Sequence, residues 1–174
     1  MFQRIRQRFK DMGTLKALCE GAERHALQDG QQEPGAEHFL LAALDLPDGA
    51  ARRTFARLAA DPDGLREAIA QQHGDALRGI GIDPSLVAPM EEGGAPLKAA
   101  RALYTAKPSG QAVIHELAAQ REQDQDRPLS GAHVVLAVAS IRQGASVRAL
   151  ARLGIGLEAI GAAARDELRS TRGP

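Results

Sequence analysis

Apolar positions recur along this chain at the three-to-four-residue spacing of amphipathic helices. Leu15, Leu18, Ala22 and Ala26 mark a first helix after a Thr14 cap, and Gly30 with the polar run Gln31-Gln32-Glu33 ends it. Pro34 fits the start of a second helix, with Leu40, Leu41 and Leu44 on its inner face. Pro47-Asp48-Gly49 reads as a turn. Ala51, Phe55 and Leu58 carry a third helix. Asp61-Pro62 opens a fourth, with Asp61 as N-cap, Pro62 at the first helical position, and Leu65, Ala68 and Ile69 inward. From about Gly74 to Gly94 glycine and proline break the periodicity, apart from a short turn around Ser85-Leu86-Val87. Helical character returns at Leu97, Ala100 and Tyr104 and pauses at Lys107-Pro108-Ser109-Gly110. Three further helices and a last one follow, on Val113/Ile114/Leu117, on Val134/Val135/Val138/Ile141 after a Ser130 cap, on Val147/Leu150/Leu153, and on Leu157/Ile160/Ala164/Leu168.

The second set of helices repeats the first. Ala36-Glu37-His38-Phe39-Leu40-Leu41-Ala42 is echoed by Gly131-Ala132-His133-Val134-Val135-Leu136-Ala137, and Arg53-Thr54-Phe55-Ala56-Arg57-Leu58 by Arg148-Ala149-Leu150-Ala151-Arg152-Leu153. Residues 38 and 133 stand 95 positions apart, as do 57 and 152, so the register holds without a gap. The expected fold is all-α and pseudo-twofold, two duplicated four-helix repeats with about eight helices in one compact domain. Its expected parts are a first repeat with an N-terminal arm (1–78), a connector (79–96) and a second repeat (97–174) ending in a frayed tail.

Composition narrows the function classes. The 174 residues carry 22 basic and 22 acidic side chains, so net charge gives no argument for a nucleic-acid or membrane partner. Four Phe, one Tyr and no Trp among many Ala, Leu, Arg, Glu and Gln favour helices over sheet. The single Cys19 has no disulfide partner and reads as a small core thiol. No apolar run approaches the roughly 20 residues of a membrane span. The N-terminus has no signal-peptide core, so the expected location is cytoplasmic. No Gly-x-x-x-x-Gly-Lys-Ser/Thr element provides a phosphate cradle, and Gly93-Gly94 leads into Ala95-Pro96-Leu97-Lys98 without that spacing. His38 and His133 lack the His-x-x-x-His or carboxylate company of a metal site. They read as structural residues near two helix starts, and neither a cofactor, a metal nor a catalytic residue is expected.

The duplicated unit resembles the N-terminal repeat domain of the ClpA/ClpC-type AAA+ unfoldases. In that family a Gly-Thr-Glu-His motif opens the second helix of each repeat, and Gly35-Ala36-Glu37-His38 stands for it here. Arg57-Leu58 and Arg152-Leu153-Gly154 fall near the family's Ala-x-x-Leu-Gly helix ends. Arg8-Phe9-Lys10-Asp11 stands where the family has Arg-Phe-Thr-Glu, and Tyr104-Thr105 where Phe-Thr or Tyr-Thr introduces the second repeat. The resemblance implies a recognition module without the ATPase motor.

It also implies site residues. In ClpC-type relatives the motif's acid helps to hold the guanidinium of phosphoarginine-marked substrates, which makes Glu37 a candidate ligand contact; a carboxylate accepts a planar cation's paired hydrogen bonds. The other reading gives Glu37 a stabilising role at the positive end of its helix. Lys10 replaces a threonine of the family and could attract an anion, Ala36 replaces the motif's threonine, and Ala132 removes the acid from the second repeat. Phe2 and Tyr104 match positions where some relatives hold macrocyclic peptide antibiotics; as aromatics they suit either anchoring a ligand or packing the N-terminal arm. Arg4, Arg6, Arg8 and Lys10 form a short basic arm, read as a solvated terminus or an anion-facing surface.

The functional expectation is therefore a non-enzymatic binding module of the Clp protease system. Its expected partners are Clp ATPase or protease components, substrate proteins or adaptors, and peptide-like macrocycles, including as a decoy that sequesters Clp-directed antibiotics. The alternative is a helical small-molecule-binding or regulatory protein unrelated in activity to Clp.

Overall fold

In the computed structural model, residues 2–79, 105–125 and 127–171 are described. They form eight helices and, among the described residues, no strand: α1 (Phe2–Gln28), α2 (Ala36–Asp45), α3 (Ala50–Arg57), α4 (Gly64–Gly79), α5 (Pro108–Gln123), α6 (Gly131–Ala139), α7 (Ala145–Arg152) and α8 (Leu157–Ser170). The two repeats correspond as α1–α4 and α5–α8.

The central pair is α2 and α6. Both are largely apolar and buried on nearly every side, and Ala36–Leu44 of α2 is buried without interruption, as a core helix requires. Phe39, Leu40, Val134 and Val135 from this pair share one core with Leu18, Phe55, Leu65, Ile69, Val113, Leu150 and Ile160. Gly131 lets α6 approach both α3 and α2, since an added Cβ would lie 2.9 Å from Ala51 Cβ and N and 3.0 Å from the Ala43 carbonyl. Cys19 is half-buried and packs against this core.

Four helix starts differ from the periodicity-based expectation. α1 does not begin at a Thr14 cap but runs unbroken from Phe2, because no proline interrupts its Arg/Gln-rich beginning. Thr14 instead turns its hydroxyl back to the Lys10 carbonyl at 3.1 Å. Leu15, expected inward, is 36% exposed as a result of where that longer helix lies. α2 starts after extended Gly35 rather than at Pro34, whose carbonyl accepts the Lys107 N–H at 3.0 Å. Asp61 does not cap α4; its Oδ1 accepts the Asp63 N–H at 2.9 Å in a local turn, and the helix begins at Gly64. α5 begins at Pro108 in the first helical turn, where a missing N–H is harmless, so Lys107-Pro108-Ser109-Gly110 is its entry. Apart from Gly79, the expected 79–96 connector lies outside the described residues, as does the return of helicity over Leu97–Tyr104.

Candidate functional site

The duplicated histidines build the starts of the two central helices. His38 Nδ1 accepts the Gly35 N–H at 2.9 Å, and His133 Nδ1 accepts the Ser130 N–H at 3.2 Å. Each ring thus takes the role that Glu or Gln has in a capping box. An accepting Nδ1 leaves the proton on Nε2, and His38 Nε2 donates it to Asp29 Oδ2 at 3.2 Å. His133 sits in a different field. Burial and the Arg121 and Arg127 guanidinium groups push its pKa down to about 4, against the opposing pull of Asp124 and Asp11. Asp124 is itself held by Arg127 Nε at 3.0 Å.

Glu37 occupies the second position of α2 and is 4% exposed. Its carboxylate folds back over Gly35, where an added Cβ would meet Oε1 and Oε2 at 2.7 Å, and lies 3.7 Å from His38 Nδ1. The start of α5 meets this end of α2, since Ser109 Oγ accepts the Ala36 N–H at 3.2 Å and Lys107 reaches Gln31. In the second repeat Ala132 supplies no acid. The carboxylate comes from across the molecule: Asp48 Oδ2 accepts the Gly131 N–H at 3.0 Å, while its Oδ1 accepts the Ala50 N–H at 2.7 Å. One aspartate thereby ties the starts of α3 and α6.

The repeats are locked by two clasps of arginines. From α3, Arg53 Nε reaches Glu167 Oε1 at 2.6 Å, and Arg57 reaches Oε2 through Nη2 at 2.8 Å and Ser170 Oγ at 2.7 Å. Burial pushes the Glu167 carboxyl up, but the two guanidinium groups outweigh it and hold it below the usual carboxylate range. The counterpart runs from α7 to α4. Arg148 Nε reaches Gln72 at 2.8 Å, and Arg152 reaches Gln71 at 3.0 Å and also Asp75. Arg53 and Arg148, Arg57 and Arg152, Gln72 and Glu167, and Asp75 and Ser170 each stand 95 positions apart. Third helices thus grip the fourth helices of the opposite repeat.

A concavity lies between the first half of α1 and α5. It is an open groove of about 490 Å³ with Leu117 and Leu129 at its base and Met12, Leu15 and Ile114 along its sides. Met12 is 67% exposed. Arg8, Glu122 and Gln125 add polar groups, and Asp11 Oδ2 meets Arg121 Nη2 there at 2.6 Å. Such a volume and lining suit an apolar ligand segment held by few polar contacts, and methionine adapts readily to irregular partners. The sequence reading named Leu15, Ile114 and Leu117 as helix-face positions and Arg8 in a basic arm, but did not gather them into a groove. Its signal was the continuation of helical spacing upstream of Thr14, which places Arg8, Met12 and Leu15 on one face of α1.

Of the expected ligand residues, Lys10 is exposed on α1, and no hydrogen bond or ion pair joins its side chain to Glu37 among the described residues. Phe2 opens α1, and Tyr104 lies outside the described residues. Among the described residues no group of three His, Cys, Asp or Glu side chains could hold a metal, and no helix is long and apolar enough to cross a membrane.

Residues 14–86 match the family model of the Clp repeat (R) N-terminal domain. The fold is similar to the crystal structure of the N-terminal domain of the caseinolytic protease associated chaperone ClpD from Arabidopsis thaliana, with a TM-score of 0.53, 16% sequence identity and 92% of each chain covered. No curated protein matches the sequence. The chain has the Clp N-terminal-domain fold, and its residues 14–86 match the Clp repeat.

Proposed function

We propose that this Clp-repeat domain is a non-catalytic binding module of the Clp protease system that holds an apolar peptide segment in the groove between α1 and α5. The observation that carries the reading is the open 490 Å³ groove flanked by exposed Met12 and Leu15 on a fold of this family. A soluble domain rarely leaves such apolar side chains along a concavity without a ligand to cover them. Substrate proteins, adaptors and macrocyclic peptides all offer the required apolar segments. Phe2 and Tyr104 enter the reading as aromatic anchors, and Lys10 as a cation for an acidic group on the ligand. The burial of Glu37 favours its role as the fixed anion of the α2 start over that of a guanidinium contact.

Calorimetry with an apolar peptide and a macrocyclic peptide tests the groove. Binding is expected to both and to fall at least about tenfold in Met12→Glu, which sets an unpaired charge among apolar groups. No binding to either ligand removes this function. Phosphoarginine tests Glu37 separately: binding abolished by Glu37→Gln would restore it as a ligand contact. Competition with the Clp ATPase for one macrocycle distinguishes a sequestering decoy from an adaptor, which instead co-purifies with that ATPase.

A further inference from the structure

The groove's outer wall is held unlike the rest of the molecule. Among the described side chains of α1, the first buried one is Leu18, ten residues beyond Arg8. Upstream, the helix is tied to the second repeat by Asp11. Its Oδ1 accepts the Leu129 N–H at 2.8 Å and its Oδ2 accepts Arg121 Nη2 at 2.6 Å. Arg121 is in turn fixed by the Asp124 carbonyl at 2.6 Å and by the Arg127 carbonyl, so its guanidinium is a rigid anchor. Immediately after Asp11 the helix has two features that weaken it. Gly13 contributes a residue of poor helix propensity, and a Cβ there would meet nothing within 4 Å. The Thr14 hydroxyl bonds the Lys10 carbonyl at 3.1 Å, a contact that bends helices.

We infer that the N-terminal half of α1 is an adjustable wall pivoting near Gly13-Thr14, and that Asp11 is the positioning residue that latches it to Arg121 and Leu129 and so sets the width of the groove. The inference rests on the groove being the binding site. A ligand entering between Met12 and Ile114 works against the latch, which makes Asp11 a determinant of ligand size. A loosened wall loses the close contact that small apolar ligands need.

The test combines amide hydrogen exchange with titration of the neutral dye Nile red, on the full chain. In Asp11→Ala, amides of residues 2–13 are expected to exchange about tenfold faster, as loss of a charge-assisted tie predicts, with residues 18–28 unchanged. Dye affinity is expected to fall in parallel. Gly13→Ala should move exchange the other way, slowing it about fivefold through better helix propensity. Unchanged exchange over residues 2–13 in Asp11→Ala would overturn the latch, and so would exchange that rises while dye affinity stays constant. Ala118→Glu places a charge at an exposed position of the groove. Dye binding that survives it removes the groove as the site, independently of the exchange result.

Discussion

The two arginine clasps use equivalent arginines at the same places, yet one closes on a buried carboxylate and the other on surface acceptors. Arg53 and Arg57 converge on Glu167, whose side chain is 3% exposed, whereas Arg148 and Arg152 meet Gln72, Gln71 and the half-exposed Asp75. A buried carboxylate cannot exchange its partners for water, so its two guanidinium groups hold α3 to α8 firmly. At the opposite clasp, water competes for every contact, and pairs of this kind contribute little. Duplicated geometry therefore carries unequal energy. What decides is the burial of the acceptor.

The helix pairs next to the clasps differ in the same sense. Gly161 allows α8 to lie closely along α6, with Ala139 Cβ 3.4 Å from a Cβ at that position. Its equivalent in α4 is Arg66, and α4 touches α2 only slightly. Polar groups fill the space instead: Arg66 donates to His25 Nδ1, and His25 Nε2 donates to Asp45 Oδ2 at 2.7 Å. The second repeat closes by apolar contact and the first by a hydrogen-bonded chain.

Glu167→Ala should break the comparison most sharply. It strands two guanidinium groups beside an apolar recess and is expected to lower stability by about 3 kcal/mol in urea unfolding, since the arginines keep part of their hydration. Acid should act through His133 next. The unfolded chain takes up a proton near pH 6.5 that folded His133 refuses until about pH 4, so stability falls as pH drops through that window. Between pH 8 and pH 5 the His133 contribution to that loss is about 2 kcal/mol, and His133→Gln, which can still accept the Ser130 N–H, should abolish it. Glu167 adds its own loss as pH falls through the ordinary carboxylate value toward its depressed one, because the unfolded chain takes up that proton first.

Ala59 offers a smaller test. It adopts φ 50° at the end of α3, where the equivalent Gly154 has φ 72°. A left-handed backbone carries a steric penalty for alanine, so Ala59→Gly should raise the melting midpoint by an amount equivalent to about 1 kcal/mol. Asp75→Ala completes the series. An effect within about 0.5 kcal/mol is expected, and a loss as large as that of Glu167→Ala would sink the claim that burial of the acceptor decides.

Most of the helical framework was legible in the sequence because it depends on local periodicity. Leu18, Leu40, Phe55, Ile69, Val113, Val135 and Leu150 all lie in the core that their spacing indicated. The 95-residue register also extends to pairs with dissimilar side chains, such as Gln72 and Glu167. Helix starts were less legible. Ser130 was readable as the cap of α6, but Gly35 gives way to Pro34 in the sequence because its partner is a histidine three residues on, in place of the usual acid. The groove and clasps were hidden for another reason. Asp11 meets Leu129, Asp48 meets Gly131, and Arg53 meets Glu167, and no local pattern announces which distant backbone or charge a polar side chain will find.

The crossing of the clasps has a consequence for how the chain holds together as a unit. Since α3 grips α8 and α7 grips α4, each half completes the other, and neither retains its fourth-helix partner when taken alone. A fragment confined to residues 14–86 would contain α4 but not α7, the surface on which α4 rests. The duplicated architecture is thus a mutual embrace of two halves, and heat should melt it in one cooperative step.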